Sequence, residues 1–356
     1  MALEPQLRCL IAAGGTAGHV LPALAVADEL RRRGVHVTFA GSPDRVEALL
    51  VPKAGYELDT FRIEGLPRRP SLALARSVLL AGRAPAACRR ILEQRRPDVV
   101  LGGGGYVSGP MVYAAARKRI PAAVAEADAR LGLANRLAAR FARRVFLSYA
   151  LPDRVGEKYR VVGRPIPANA RPMDRSVARA QLGLPAEGPV LLIAGARAGA
   201  RALNELAVDA FGRVGPPVLH VCGERDFGSL QRRVSRADYR LVAVLDGLGA
   251  AYGACDLAVM RSGGTVWELA AAGMPAILIP YPFATADHQT LNARHFERGG
   301  GAIRVAEAEL GSVPEIARSL LDDADRLERM SERMRALAKP DAARVITEEL
   351  VELAGA

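Results

Sequence analysis

The sequence predicts an α/β protein built from two similar halves, each organised around a parallel sheet. Short apolar segments typical of strands alternate with longer amphipathic segments typical of helices, a pattern that favours parallel strands with crossover helices. The alternation is interrupted once, at the proline-rich residues 161–172, which we interpret as a hinge. The length of 356 residues also suits two domains better than one core.

The predicted elements follow this alternation in order. In the first half, residues 8–13, 37–40, 98–102, 122–125 and 144–148 are expected to form strands, and residues 22–33 and 111–119 helices. In the second half, the expected strands are residues 190–194, 218–222, 241–245, 257–260 and 276–279. We therefore predict an N-terminal domain at residues 1–163 and a C-terminal domain at residues 164–340. The final helix, residues 341–356, is expected to pack back onto the first domain.

Composition restricts the class of partner. The net charge of +11 suggests an anionic partner, either nucleic acid or lipid headgroups, although an arginine-rich composition explains it equally well. Nucleic acid is disfavoured because aromatic residues make up only 5% of the chain and no binding module is recognisable. The four cysteines are scattered, which predicts neither a metal site nor disulfides and fits a reducing cytoplasm. No signal peptide or spanning segment is recognisable, so membrane contact is expected to be peripheral.

Three glycine-rich loops join predicted strands to helices. The first contains Gly14, Gly15, Thr16, Gly18 and His19. Such a loop lets the backbone approach a ligand, and the following helix offers free N–H groups to an anion, although a tight turn without a ligand is the alternative.

The other two loops have the same layout. Residues 102–110 include four consecutive glycines, which are costly to order, so a structural role alone explains them poorly. Residues 194–201 include Arg197 and Gly199 and could hold a phosphate. The three loops together predict two phosphate-carrying ligands that meet at the cleft between the domains.

A basic and apolar segment runs from Leu66 to Pro97. It contains eight arginines, the single acid Glu93 and several leucines. An apolar face ringed by arginine is typical of a surface that binds anionic phospholipid. The alternative is an ordinary solvated helix pair whose leucines pack inward.

Three motifs carry a resemblance to a known family. These are Gly-Gly-Thr-Ala-Gly-His-Val-Leu-Pro at 14–22, Gly-Gly-Tyr-Val-Ser-Gly-Pro at 104–110 and Asp-His-Gln-Thr-Leu-Asn-Ala at 287–293. They resemble the MurG family, whose members add N-acetylglucosamine (GlcNAc) from UDP-GlcNAc to the 4-hydroxyl of N-acetylmuramic acid in undecaprenyl-diphosphate-N-acetylmuramyl-pentapeptide (lipid I), giving lipid II. The resemblance implies the GT-B fold, in which two Rossmann-like domains face an interdomain cleft. It further implies an inverting transferase without metal or cofactor, peripheral on the cytoplasmic face of the plasma membrane, where cell-wall synthesis proteins are possible partners.

The resemblance also implies roles for individual residues. His19 and Glu126 are the implied catalytic residues, and His19 could equally contact a diphosphate. The implied acceptor-binding residues are Gly14, Gly15, Gly103, Gly104, Tyr106, Ser108 and Asp128. The implied donor-binding residues are Thr16, Gly18, Arg164, Arg197, Gly199, Leu245, Arg261, Ser262, Gly263, Glu268, His288 and Gln289. Among these, Glu268 would bind the ribose hydroxyls, Gln289 the sugar hydroxyls, and the backbone at Leu245 the uracil.

The chain departs from the family pattern at several positions. The family sequence His-Glu-Gln-Asn is replaced by Ala125-Glu126-Ala127-Asp128, and Arg164 and Arg197 stand where the family has other residues. At the hinge the family arginine is replaced by Pro167, and the two new arginines suggest compensation for this lost cation near the donor diphosphate. Two alternative hypotheses about the function therefore stay open: a UDP-GlcNAc 2-epimerase, and an inactive homologue that binds UDP-sugar or lipid.

Overall fold

The computed structural model describes residues 6–65, 72–195 and 199–355. The chain forms two units, the first comprising Met1–Pro167 with Pro340–Ala356 and the second Ala168–Lys339. The predicted α/β class and the parallel sheet in each half are confirmed. The first unit extends past the expected boundary at residue 163 because Arg164 hydrogen-bonds to the carbonyl oxygens of Gly18 and Ala127 in that unit.

The first unit contains a seven-stranded parallel sheet in the order β3-β2-β1-β4-β5-β6-β7. Its strands are β1 (Arg8–Ala13), β2 (His36–Gly41), β3 (Glu57–Thr60), β4 (Val99–Gly104), β5 (Ala122–Glu126), β6 (Arg144–Leu147) and β7 (Tyr159–Val161). Its first helices are α1 (Ala17–Arg32), α2 (Glu47–Lys53), α3 (Leu72–Arg95), α4 (Ser108–Arg117) and α5 (Leu133–Ala138).

The central strand β1 shows why this sheet is covered on both faces. Cys9 and Ile11 point into one core with residues of α1, whereas Leu10 and Ala12 point into another with residues of α3 and α4. A strand that is buried on both faces has apolar residues at consecutive positions. Residues 8–13 show this pattern in the sequence.

The second unit contains a six-stranded parallel sheet in the order β10-β9-β8-β11-β12-β13. In chain order its elements are α6 (Arg175–Leu182), β8 (Leu191–Ala194), α7 (Arg201–Phe211), β9 (Val218–Val221), α8 (Glu224–Gln231), β10 (Tyr239–Val242), α9 (Gly249–Ala254), β11 (Leu257–Arg261), α10 (Val266–Ala272), β12 (Ala276–Ile279), α11 (His288–Arg298), β13 (Ala302–Arg304), α12 (Val313–Leu321) and α13 (Ala324–Leu337).

The last helix, α14 (Ala342–Gly355), belongs to the first unit. Ile346 and Leu350 lie in the same core as Leu30 of α1. Glu349 forms ion pairs with Arg144 at 2.8 Å and with Arg160 at 3.1 Å. These two contacts hold the helix beside β6 and β7.

One predicted helix and the basic, apolar segment from Leu66 to Pro97 differ from their predictions. Helix α1 begins at Ala17 rather than at residue 22, so Pro22 lies inside it. Residues 72–95 form a single helix, in which Ala84, Cys88 and Leu92 are buried. Of the arginines expected to face a membrane, Arg95 instead pairs with Asp59 at 2.7 Å.

The rest of that segment is only partly described. Residues 66–71 lie outside the described residues, as do the side chains of 72–76 and 78. Leu79 and Arg83 are exposed, and Leu80 is half-buried. Within residues 6–65, 72–195 and 199–355, no helix is both long and apolar enough to cross a membrane.

A buried polar chain links three elements of the second unit. Asn204 of α7 donates through its amide to the carbonyl of Cys222 at 2.8 Å, so its oxygen must accept from His220 Nε2, which lies 3.0 Å away. The other ring nitrogen, His220 Nδ1, then accepts from the Tyr239 hydroxyl at 2.9 Å. The ring is neutral and has no free position for a second proton. Burial accordingly lowers the pKa of His220 to about 3.

We expect this histidine to make stability depend on pH. In the unfolded chain His220 titrates near 6.5, so between that pH and about 3 only the unfolded state takes up the proton. Stability should therefore fall as pH falls through this window, by up to roughly 1.4 kcal/mol per pH unit. Thermal unfolding of the wild type and of His220→Gln, followed between pH 7 and pH 5, measures the effect. The wild type should lose more stability than the variant, and equal losses would contradict the prediction.

Candidate active site

The first two glycine loops form one structure at the carboxyl ends of β1 and β4. These strands are neighbours, and the strand order runs outward from them in opposite directions. In α/β sheets, ligands bind at the carboxyl ends of the strands at such a switch in strand order. The Gly14 amide donates to the Gly104 carbonyl at 3.3 Å. Gly105 has a φ of 77°, and a side chain there would collide with the carbonyl of Gly14.

The four consecutive glycines have a structural explanation after all. A Cβ at Gly102 would collide with the Ser108 hydroxyl, and one at Gly103 would lie 2.9 Å from Ala13 Cβ. A Cβ at Gly104 would lie 2.6 Å from His19 Cδ2. The expectation that structure alone explains this run poorly is therefore wrong, because each glycine allows a close contact.

Two expected acceptor contacts differ in their exposure. Ser108 is fully buried, and its hydroxyl lies 3.5 Å from the amide oxygen of Asn135, so it faces the protein interior. This geometry does not support an acceptor-binding role for Ser108. Tyr106 is exposed, and its ring lies against Gly65.

His19 lies in the first turn of α1 with one nitrogen already committed. Its Nδ1 lies 3.2 Å from the carbonyl oxygen of Gly14 and 3.2 Å from the hydroxyl of Thr16. A carbonyl oxygen only accepts, so Nδ1 carries the proton and the lone pair is on Nε2. Burial lowers the pKa of His19 below its usual range. The ring is therefore neutral near pH 7, with Nε2 able to take a proton.

Glu47, at the first position of α2, supports the first loop and was missed from the sequence. Its side chain is completely buried. One carboxylate oxygen accepts from the Gly15 amide at 2.9 Å and the other from the Ser42 amide at 2.9 Å. The N–H groups of Gly14 and Gly15 are thus both used within the protein, and ligand binding through those two amides is not supported.

Glu126 ends β5 and holds the loop that follows. Its carboxylate accepts from the amides of Asp128 at 3.1 Å and Gly132 at 2.9 Å, and from the side chain of Asn135 at 3.0 Å. Burial raises the pKa of Glu126, and these hydrogen bonds oppose the shift. With both oxygens engaged, Glu126 is better suited to positioning the loop than to the expected catalytic role.

Arg164 lies in the first unit, and its expected contact with the donor stays a prediction. It is buried, and it donates to the carbonyls of Gly18 at 2.5 Å and Ala127 at 3.4 Å. Asp128, in the same loop as Ala127, is half-buried and interacts electrostatically with His19. The structure therefore brings together His19, Asp128 and Arg164.

We expect Gly104→Ala to displace the His19 ring. The backbone there has a φ of 105°, which strains any residue with a Cβ, and the added atom would overlap the imidazole. The turnover number kcat should fall by roughly 10- to 100-fold, since a misplacement of about 1 Å suffices for such a loss. Gly228→Ala, a helical position with open space around it, is the matched control and should keep wild-type activity. Wild-type kcat in Gly104→Ala would refute the assigned packing.

In the second unit, the third glycine loop lies between β8 and α7. A side chain at Gly199, where φ is 80°, would collide with the carbonyl of Cys222, the residue that follows β9. Arg197 lies outside the described residues, so its expected phosphate contact stays a prediction.

Glu268 is held in the first turn of α10 by a residue that was not singled out in the sequence. The hydroxyl of Tyr252, in α9, donates to a Glu268 carboxylate oxygen at 2.9 Å. Tyr252 is buried, and both burial and the carboxylate raise its pKa well above the usual value. Tyr252 thus remains a hydrogen-bond donor that orients Glu268. Leu245 is half-buried and lies just beyond β10.

Gln289 is likewise oriented by the backbone. Its amide oxygen accepts from the Tyr281 amide at 2.9 Å, so its NH₂ group is on the other side, near Gly263. The buried Ser262 hydroxyl donates to the Gln289 carbonyl at 2.9 Å and fixes the start of α11. The neighbouring His288 donates through Nδ1 to the Thr285 carbonyl at 2.8 Å.

The surroundings of Arg261 do not fit the role in donor binding that was expected for it. Its guanidinium is buried, pairs with Glu307 and donates to the carbonyl of Pro280 at 3.3 Å. It therefore joins the carboxyl ends of β11 and β12, with its charge already neutralised. Across the described ranges, no group of three or more His, Cys, Asp or Glu side chains is arranged to hold a metal ion.

Comparisons with known proteins identify the family. The Glycosyltransferase family 28 N-terminal domain matches residues 9–147, and the Glycosyltransferase family 28 C-terminal domain matches residues 190–346. A UDP-N-acetylglucosamine–N-acetylmuramyl-(pentapeptide) pyrophosphoryl-undecaprenol N-acetylglucosamine transferase of Acidithiobacillus ferrooxidans is 41% identical, over 97% of this chain and 98% of its own length. The chain belongs to the MurG family. The crystal structure of Acinetobacter baumannii MurG, 29% identical, matches with a TM-score of 0.77 over 98% of this chain and 100% of that one.

Membership of the MurG family makes the chain a hexosyltransferase with the GT-B fold, as predicted. A UDP-GlcNAc 2-epimerase from Neisseria meningitidis also matches, with a TM-score of 0.67 over 97% of this chain and 100% of its own. At 15% identity this likeness extends to the fold alone. The epimerase alternative therefore has no support beyond a shared architecture.

Proposed function

We propose that this chain transfers GlcNAc from UDP-GlcNAc to the 4-hydroxyl of N-acetylmuramic acid in lipid I, which yields lipid II for peptidoglycan synthesis. The relationship to MurG enzymes over nearly the whole chain supports the reaction. The observation that carries the mechanism is the neutral His19, whose Nε2 lone pair lies at the carboxyl ends of β1 and β4.

The acceptor side of the reaction needs a base and an anion site. His19 Nε2 takes the proton of the acceptor hydroxyl as that oxygen bonds to C1 of GlcNAc, on the face opposite the UDP. The bond from C1 to the UDP oxygen breaks in the same displacement, which inverts the anomeric configuration. The amide groups at the start of α1 supply partial positive charge for the lipid diphosphate.

The donor side is proposed to lie in the second unit. Glu268, held by Tyr252, accepts hydrogen bonds from the ribose hydroxyls, and the NH₂ group of Gln289 donates to hydroxyls of the sugar. The Gly199 loop and the start of α7 stabilise the departing diphosphate through backbone amides.

The described residues also offer a surface for an anionic membrane. Three exposed apolar side chains, Leu133, Leu137 and Phe141, lie on and just after α5, and Arg136 and Arg140 are exposed among them. No acidic residue occurs between residues 129 and 152. We call these five side chains the α5 surface and propose that it binds anionic headgroups at the cytoplasmic face of the plasma membrane, together with the segment from Leu66 to Pro97.

Vesicle binding tests the membrane surface. Replacing Arg136 and Arg140 with glutamine should weaken binding to vesicles that contain phosphatidylglycerol by roughly tenfold or more, since each cation contributes about 1 kcal/mol. Binding of the wild type should also weaken as salt is raised. Val214→Ser, which changes an exposed apolar residue in the second unit, is the control. Salt-independent binding, or binding unaffected by the double substitution, would contradict the proposal.

Release of UDP from UDP-GlcNAc, with and without a lipid I analogue, tests the function as a whole. Release that depends on the analogue and yields a disaccharide product is expected. Conversion of UDP-GlcNAc to its 2-epimer without acceptor would support the epimerase alternative instead, and binding without turnover would indicate an inactive homologue.

A further inference from the structure

Pro22 removes the N–H group that would otherwise donate to a backbone carbonyl inside α1. A helical carbonyl normally accepts from the amide four residues later, but proline has no N–H. The carbonyl of Gly18 therefore has no helical donor, and Arg164 Nη2 donates to it at 2.5 Å instead. This contact lies one residue before His19.

The same guanidinium reaches a second element. Arg164 Nη1 donates to the carbonyl of Ala127 at 3.4 Å, in the loop between β5 and α5 that also carries Asp128. Arg164 thus connects the helical turn of His19 to the loop of Asp128. Ala125 and Ala127 line a small cavity of about 20 Å³ beside it, so the short side chains at these positions leave room for the guanidinium.

No carboxylate of the described residues forms an ion pair with Arg164. The side chain is only 6% exposed, and among the described residues it forms no ion pair. A buried cation without a counter-charge acts strongly on nearby titratable groups. Three charged groups act on His19: Arg164 lowers its pKa, whereas the carboxylates of Asp128 and Glu47 raise it.

We propose that Arg164 is a positioning residue that holds the first turn of α1 against the Asp128 loop and, through its positive charge, opposes a proton on His19. The inference rests on the proposed role of His19 as the base. Burial is the main cause of the lowered pKa of His19; Arg164 also opposes a proton on the imidazole, whereas Asp128 favours one. Arg164 acts through His19 and needs no contact with either substrate.

The titration of His19 measured by NMR tests this directly and does not depend on activity. The chain has only five histidines, and His19→Asn identifies the signal by its disappearance. Arg164→Gln should raise the pKa of His19 by about half a unit or more, because it removes a nearby positive charge. Asp128→Asn should lower the pKa for the opposite reason. Arg164→Lys, which keeps the charge, should leave it near the wild-type value.

Kinetic measurements show whether the inference about Arg164 fails or the proposed role of His19 as the base fails. In the pH profile of kcat/KM, Arg164→Gln should move the acidic limb to higher pH, whereas Arg144→Gln, a half-buried arginine paired with Glu349, should leave it in place. Arg164→Lys should lower kcat without moving the limb, because lysine lacks the two-pronged geometry. Unshifted titrations in both Arg164→Gln and Asp128→Asn would overturn the inference. Full activity in His19→Asn would overturn the proposed base, whatever the titrations show.

Discussion

Replacing His19 with asparagine is expected to lower kcat for GlcNAc transfer by about 10²- to 10⁴-fold, the usual contribution of a general base. Asparagine has no lone pair that can take the proton of the acceptor hydroxyl near neutral pH. Because His19 is assigned no contact with the nucleotide, the KM for UDP-GlcNAc should change little. Steady-state kinetics with a soluble lipid I analogue measure both constants.

A second histidine provides the control. His36 begins β2, at the opposite end of the sheet from the carboxyl ends where His19 lies, and His36→Gln should retain wild-type kinetics. If His19→Asn instead raised the KM for the acceptor and left kcat unchanged, the side chain would be a diphosphate contact and not the base.

Replacing Glu268 with glutamine is expected to raise the KM for UDP-GlcNAc by roughly 10- to 100-fold. A hydrogen bond to a charged group is worth about 1.5–3 kcal/mol, and the carboxylate is proposed to accept from the ribose hydroxyls. Tyr252→Phe should shift KM in the same direction by a smaller factor, because it removes only the hydroxyl that orients Glu268. Isothermal titration with UDP separates this binding effect from catalysis.

The control for charge is Glu315→Gln, an exposed first-turn glutamate of α12 that should leave UDP binding unchanged. An unchanged KM in Glu268→Gln would contradict the assignment of the ribose contact. An equal loss for UDP and for UDP-GlcNAc is expected, since the contact is to the nucleoside.

Most of the fold could be predicted because local pattern and tertiary position agree. The buried strands β1 and β11 read as apolar runs, and the glycines that follow them mark the turns at the ligand-binding edge. The start of α1 was misplaced because proline usually begins a helix. Pro22 is tolerated inside α1 through a bond from Arg164, which is 142 positions away (164 − 22) and invisible to any local pattern.

The candidate site could be predicted only in part for a similar reason. Glycine loops and His19 carry a local signature, whereas Glu47 and Tyr252 act through contacts formed only after the strands assemble. Charge was also a poor guide to ligand binding. Arg261 is buried and paired with Glu307, a partner that sequence spacing does not reveal.

The anomeric configuration of the product is the most direct test of the central claim. NMR of the disaccharide formed from UDP-GlcNAc and a lipid I analogue should show a β-linkage from GlcNAc C1 to the 4-hydroxyl of N-acetylmuramic acid. That result follows from a single displacement assisted by a base, since the donor is the α-anomer. An α-linked product, or a 2-epimer of the donor without any disaccharide, would contradict the account.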